Sequence, residues 1–250
     1  ASNYSLDGGA TTAAYTSGDA IRVNGVDVRI TGNPAAGDEF TLAAADGFRL
    51  AVESGKLGAS VSEEVGLIVP AKTLAEVERL LGDGSSSVEL TLDASGRSAK
   101  FRLETSEVVT SLVQGTFPDY EKLIPTSHGT KATIDLSSMV QATRAASIFA
   151  RDGSGIIRVI VNPGSDGEAG SVKIISRAEE VGSNENELDA SVEGEESKVA
   201  FNSKFLMDVL NVMSGDDVDI ETTTPSSPGV FRSAKHEGYT HVVMPMFVQW

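Results

Sequence analysis

The side chains able to do covalent or metal chemistry are few in this sequence, and their spacing suits none of it. Among 250 residues there is no cysteine and only three histidines, His128, His236 and His241. Without cysteine there can be no disulfide, thiolate zinc site or cysteine nucleophile. The three histidines fall at no metal-ligand or triad spacing, and no phosphate-cradling glycine motif occurs. The acidic run 179–196, with Glu179-Glu180 and the carboxylates from Glu193 to Glu196, lacks the ordered ligand spacing of a calcium loop. It reads as a solvated hairpin. No catalytic group, cofactor or metal is expected, and binding is the chemistry left.

Two residue classes could carry binding. The first is cationic: Lys72, Arg79, Arg144, Arg151 and Lys204 all fall in segments with helical periodicity. The chain holds 20 Lys and Arg against 36 Asp and Glu, a net charge of −16, which argues against a generally basic surface but allows one basic face. The second is apolar and methionine-rich, above all Val242-Val243-Met244-Pro245-Met246. With 40 % hydrophobic and 22 % charged residues the composition is globular, and the length suits two domains. No apolar run reaches the roughly 18 residues of a membrane span, and no signal peptide follows Ala1, so a cytoplasmic protein away from membranes is expected.

The elements that position these residues recur. Lys72 to Leu81 and Lys204 to Met213 repeat Lys, Leu, acid and Val in register, each closing on two apolar residues and then a Gly-Asp pair. The alternating strands after them match too: Val88 to Leu92 with Val218 to Thr222, Lys100-Phe101-Arg102 with Val230-Phe231-Arg232, and Val108-Val109 with Val242-Val243. The period is about 132 residues. A further helix is expected over 137–150, capped by Asp135 or Ser137, with Leu136, Met139, Val140, Thr143 and Ala146 on one face. Strands are expected after it at 155–161, 171–181 and 188–192. This is an α+β layout of repeated helix-plus-antiparallel-sheet units with the helices on one face.

Three strings, Ala44-Ala45-Asp46-Gly47-Phe48-Arg49-Leu50-Ala51-Val52, Gly115-Thr116-Phe117-Pro118-Asp119-Tyr120 and the Val242 to Met246 stretch, resemble the bacterial sliding clamp, the beta subunit of DNA polymerase III. So does Phe201-Asn202-Ser203-Lys204-Phe205-Leu206. The resemblance covers about 44–250 and implies the back half of the clamp's middle domain at 44–123 and its last domain at 124–250. It implies a DNA-clamp fold and a non-catalytic processivity factor. In that family helices line a hole around non-specific double-stranded DNA, which would turn Lys72, Arg79, Arg144, Arg151 and Lys204 toward the duplex. Read without the family, the same residues are ordinary solvated positions on amphipathic helices.

The resemblance also implies that the replicative polymerase and the clamp loader dock linear peptides in an apolar pocket between the middle and last domains. Matching positions are Gly47, Arg49, Leu50, Pro118, Leu123, Val242, Met244, Pro245 and Met246. Buried apolar anchors supply most of the affinity in such sites, and methionine repacks around different partners. The sequence departs from the family at Ala45, where a hydroxyl is usual, at Phe48, a frequent histidine, at Ser154 on the rim, and in the tail Phe247-Val248-Gln249-Trp250, which replaces a short Arg-Leu ending; Lys122 keeps a basic residue.

Residues 1–43 read as a β-rich segment outside the clamp match. Glycines at 8, 9 and 18 leave no helical stripe there, while Ile21 to Ile30 alternates around Asn24-Gly25. This segment resembles a short β-repeat of flagellar hook-associated proteins, through Val23-Asn24-Gly25-Val26 and Pro34-Ala35-Ala36-Gly37-Asp38 with Phe40. A junction is expected near 41–44. The alternatives to a clamp are a flagellar structural protein or a chimeric clamp fragment that binds peptides. The family's homo-oligomeric ring closes through a first domain not found here, so this stretch alone is not expected to form one.

Overall fold

The computed structural model describes residues 2–5, 12–15, 25–31, 39–56, 64–81, 88–151, 154–165, 169–178, 180, 182–233 and 235–250. The chain divides into two compact units, Ala1–Tyr120 and Glu121–Trp250.

In the first unit, β1 (Ser2–Ser5) and β2 (Thr12–Tyr15) form an antiparallel pair. Strands β3 (Gly25–Thr31), β4 (Glu39–Ala45) and β5 (Arg49–Lys56) form an antiparallel meander, and β6 (Val65–Pro70) returns to pair with β3. Helix α1 (Ala71–Leu81) follows, then a second meander of β7 (Glu89–Leu92), β8 (Ser98–Arg102) and β9 (Glu107–Ser111). Leu74, Val77 and Leu81 recur at helical spacing on α1 and pack with Leu67 and Val69 of β6 and Ala99 and Phe101 of β8. That burial leaves Lys72, Glu76 and Arg79 on the outer side of the helix.

The second unit contains the same plan twice. Its first half is β10 (Thr130–Asp135), α2 (Leu136–Arg151), β11 (Ile156–Asn162), β12 (Gly170–Ala178) and β13 (Gly182–Gly194). Its second half is β14 (Ser197–Asn202), α3 (Ser203–Val212), β15 (Asp217–Thr222), β16 (Gly229–Ser233) and β17 (His236–Val243). Each half is strand, helix, three-strand meander. The opening strands are exchanged: β10 pairs with β15 of the other half, and β14 pairs with β11. The long β13 joins the halves, pairing with β12 over 182–190 and with β10 over 191–194.

Both helices pack on one face of this sheet, as expected for α+β. Met139, Ala142, Ala146 and Ala150 of α2 and Leu206, Val209 and Leu210 of α3 share a core with Ile134, Val159, Ile174, Ile220 and Phe231. Phe201 and Phe231 meet edge to face at 5.6 Å. Asp135 caps α2, its Oδ1 accepting the Ser138 N–H at 2.7 Å, and Asn202 caps α3 by accepting from Lys204 and Phe205. Asp135, rather than Ser137, is therefore the cap.

Two expectations change here. The strand expected over 188–192 is the thirteen-residue β13, which takes in the acidic residues from Glu185 to Glu193. Its carboxylates Glu185, Glu187 and Asp189 alternate with inward Leu188 and Ala190, so the outer face stays solvated while the strand forms. The junction expected near 41–44 lies inside β4, which is paired continuously with β3 (Val26 opposite Ala44) and β5 (Ala45 opposite Leu50). Strand β6 begins at residue 65 and β14 at residue 197, and β3 begins at 25 and β11 at 156, so the period near 132 reaches back to residue 25. A meander carries no helical stripe, and that is why periodicity alone placed its beginning outside the repeat. Residues 21–24 and 32–38, including Asn24 and most of the hook-like strings, lie outside the described residues, as do Gly82 and Asp83.

Candidate binding surfaces

The peptide-site candidates fall into two sets, one in each unit. In the first, Asp46 organises the turn between β4 and β5. Its Oδ1 accepts the backbone N–H groups of Phe48 and Arg49 at 3.1 and 3.2 Å, and its Oδ2 accepts Arg49 Nε at 2.8 Å. Gly47 sits at φ 87°, the left-handed region where a side chain is strained, so the turn requires glycine there. The outcome is a hydrogen-bonded Asp-Gly-Phe-Arg corner with Phe48 exposed, Arg49 half-buried and Leu50 buried. Pro118 is half-buried in the same unit, between Phe117 and Tyr120, whose rings meet edge to face at 6.2 Å.

In the second unit, Leu123 ends a short 3-10 turn over Tyr120–Leu123 and is half-buried. Val242, the last residue but one of β17, is buried at 3 % exposure. The chain then leaves the sheet: Met244 is exposed, Pro245 and Met246 are half-buried, and the Met246 N–H donates to Ala200 O at 2.7 Å. Proline removes one donor from this segment and the Ala200 contact fixes its course along β14. The sequence thus grouped residues of different kinds. Leu50 and Val242 are core positions supporting the surface, and Met244 and Arg49 are on it.

The five cations lie on the three helices and all are exposed. Arg79 forms a two-point pair with Glu76 on the same helix, Nε to Oε2 at 2.9 Å and Nη2 to Oε1 at 2.6 Å. The hydrogen bond from Arg79 holds the Glu76 carboxyl below its ordinary range. The spacing of three residues from Glu76 to Arg79 was readable in the sequence, and it qualifies the reading of Arg79 as a free cation. On the outer face of the second unit's sheet, Lys131 pairs with Asp219 at 3.0 Å, Lys173 with Glu187 at 3.4 Å and Arg232 with Glu221 at 3.4 Å.

Two features escaped the sequence reading. A cleft of about 540 Å³ in the second unit is lined by Ile124, Pro125, His128, Glu221 and Arg232 among others, residues scattered over more than a hundred positions. Phe247 and Trp250 are 87 % and 51 % exposed, which the apolar character of the tail could have suggested. Among the described residues there is no grouping of three or more His, Asp and Glu side chains able to hold a metal, and no helix is long and apolar enough to cross a membrane.

What fold and surfaces define together is an α+β scaffold of repeated strand-helix-meander units, with Lys and Arg exposed on its helices and a methionine-bearing segment after its last strand. Comparison with known proteins narrows the class. Residues 10–119 match the family model of the DNA polymerase III beta subunit, central domain, and residues 121–247 match that of its C-terminal domain. The Staphylococcus aureus beta sliding clamp is 29 % identical over 210 residues, covering 84 % of this chain and 54 % of that protein. The Bacillus subtilis sliding clamp structure superposes with a TM-score of 0.80 at 24 % identity, over 90 % of this chain and 57 % of that one. The C. crescentus clamp, solved with PEG bound to a proposed beta-motif tethering region, gives 0.77 at 26 %, over 90 % and 58 %. The chain belongs to the DNA polymerase III beta subunit family. It spans about half the length of the curated relatives it matches. Because the central-domain match starts at residue 10, upstream of the hook-like strings, the flagellar alternative is not favoured.

Proposed function

We propose that this chain supplies the central and C-terminal parts of a sliding clamp, a non-catalytic platform that holds partner proteins near duplex DNA. The observation that carries the reading is the family match over both units, together with clamp-like strings in the same order along the chain. Sliding requires contacts that carry no base information, because base-specific bonds hold a protein at one register. Exposed Lys and Arg on helices suit that requirement, since their attraction to phosphate is exchangeable with counterions.

Polymerase and loader are proposed to dock through linear peptides on Gly47, Arg49, Leu50 and Pro118 of the first unit and Leu123, Val242, Met244, Pro245 and Met246 of the second. Exposed Met244 and the half-buried Arg49 are the direct contacts in this reading, and buried Leu50 and Val242 hold them in place. The test is fluorescence titration of a labelled clamp-binding peptide. Met244→Ala is the informative variant, because truncating an exposed side chain spares the core, whereas Leu50→Ala removes a buried one. Saturable binding weakened about tenfold by Met244→Ala is expected, the loss of one good apolar anchor. No saturable binding at high micromolar protein would remove the peptide-site reading.

A further inference from the structure

The exposed row of α2 runs Ser137, Gln141, Arg144, Ile148 and Arg151, at alternating steps of four and three residues. No carboxylate occurs anywhere on this helix. The other two helices differ. On α1, Lys72 and Arg79 are balanced by Glu76 and Glu78, and on α3, Lys204 is balanced by Asp208. Arg79 is held by Glu76 in the two-point pair described above, whereas Arg144 makes no ion pair among the described residues.

We propose that α2 is the helix that attracts the DNA backbone in this chain, with Arg144 as its central contact, and that α1 and α3 contribute little net attraction. This rests on the DNA-facing reading of the helices given above. The physical reason is distance. A carboxylate 2.6 Å from a guanidinium lies well within the roughly 8–10 Å screening length of any phosphate the guanidinium could approach. It repels that phosphate nearly as strongly as the cation attracts it. Such a pair also displaces few counterions on binding, and counterion release supplies most of the non-specific affinity. Around Arg144 no carboxylate of α2 itself intervenes, the cap Asp135 lying nine residues before it, and Ser137 and Gln141 add neutral donors to the same row. The chain's net charge of −16 makes the contrast sharper, because the acidic remainder disfavours DNA everywhere else.

The experiment is fluorescence anisotropy of a labelled random-sequence duplex with the full chain over a series of salt concentrations. Circular dichroism confirms that each variant is folded. Arg144→Ala should weaken binding by about threefold or more at low salt and lower the slope of log affinity against log salt by about one. Arg79→Ala should change affinity by less than about twofold, and Glu76→Gln should tighten binding by releasing the Arg79 guanidinium. Equal losses for Arg79→Ala and Arg144→Ala, or no gain from Glu76→Gln, would overturn the assignment to α2 while leaving the DNA reading intact. Wild-type protein without any salt-dependent binding would remove the DNA reading and this proposal together.

Discussion

At the residue scale, small polar contacts do most of the positioning. Asp46 fixes the corner that carries Phe48 and Arg49, and Asp135 and Asn202 start the helices of the second unit. Asp135 gives a pH test. Hydrogen bonds from the Ser138 hydroxyl, then from its backbone N–H, hold this carboxyl below its ordinary value of about 3.9. A carboxyl that ionises more readily folded than unfolded adds stability above its unfolded value and loses it as pH falls through the folded one. Asparagine is an equally good cap but does not titrate. Urea midpoints of wild type and Asp135→Asn should therefore differ most near neutrality and converge below about pH 4. A constant gap across that range would show that the cap does not titrate with folding.

At the element scale, the period near 132 is a statement about pairing as well as sequence. Leu90 opposite Phe101 in the first unit and Ile220 opposite Phe231 in the second are the same cross-strand position in two copies. Register in the second unit depends on β13, which changes partner between Ala190 and Ser191. Gly194 ends that strand at φ 98°, and a Cβ there would meet Gly129 O at 2.0 Å. The neighbour is backbone and cannot rotate away. Gly194→Ala should cost about 2 kcal/mol or more, combining a strained φ with a forced backbone shift, read from chemical denaturation. An unchanged midpoint would mean that the β10–β13 pairing tolerates a different path there.

At the scale of the whole molecule, the second unit stands as a complete repeat pair, with two helices over an eight-stranded sheet and one continuous core. The first unit has a single helix among its described residues. Expressed alone, Glu121–Trp250 is expected to unfold in one cooperative transition, with fluorescence and circular dichroism giving coincident curves. A broad transition, or curves that separate, would show that this unit depends on the rest of the chain for its packing.

The sequence by itself determined the α+β class, the helices α1, α2 and α3, the strands after them and the family, because these are written in local periodicity and short strings. Hydrophobic spacing of three and four residues fixes which face of a helix is buried, so the exposure of Arg144 and Lys204 was legible before any coordinates. Three things needed tertiary structure. The extent of the repeat upstream of residue 44 depended on strand pairing, since β3 and β4 carry no helical stripe and show their kinship to β11 and β12 only through register. The division of the site residues into core and surface depended on packing, because Leu50 and Met244 look equally apolar in sequence while one is buried and the other exposed. The state of the helix cations was legible only in part: the three-residue spacing marked Glu76 and Arg79 as a possible pair, and the structure supplied the geometry, the fork of Arg79 closing on Glu76 at two points, which Arg144 lacks.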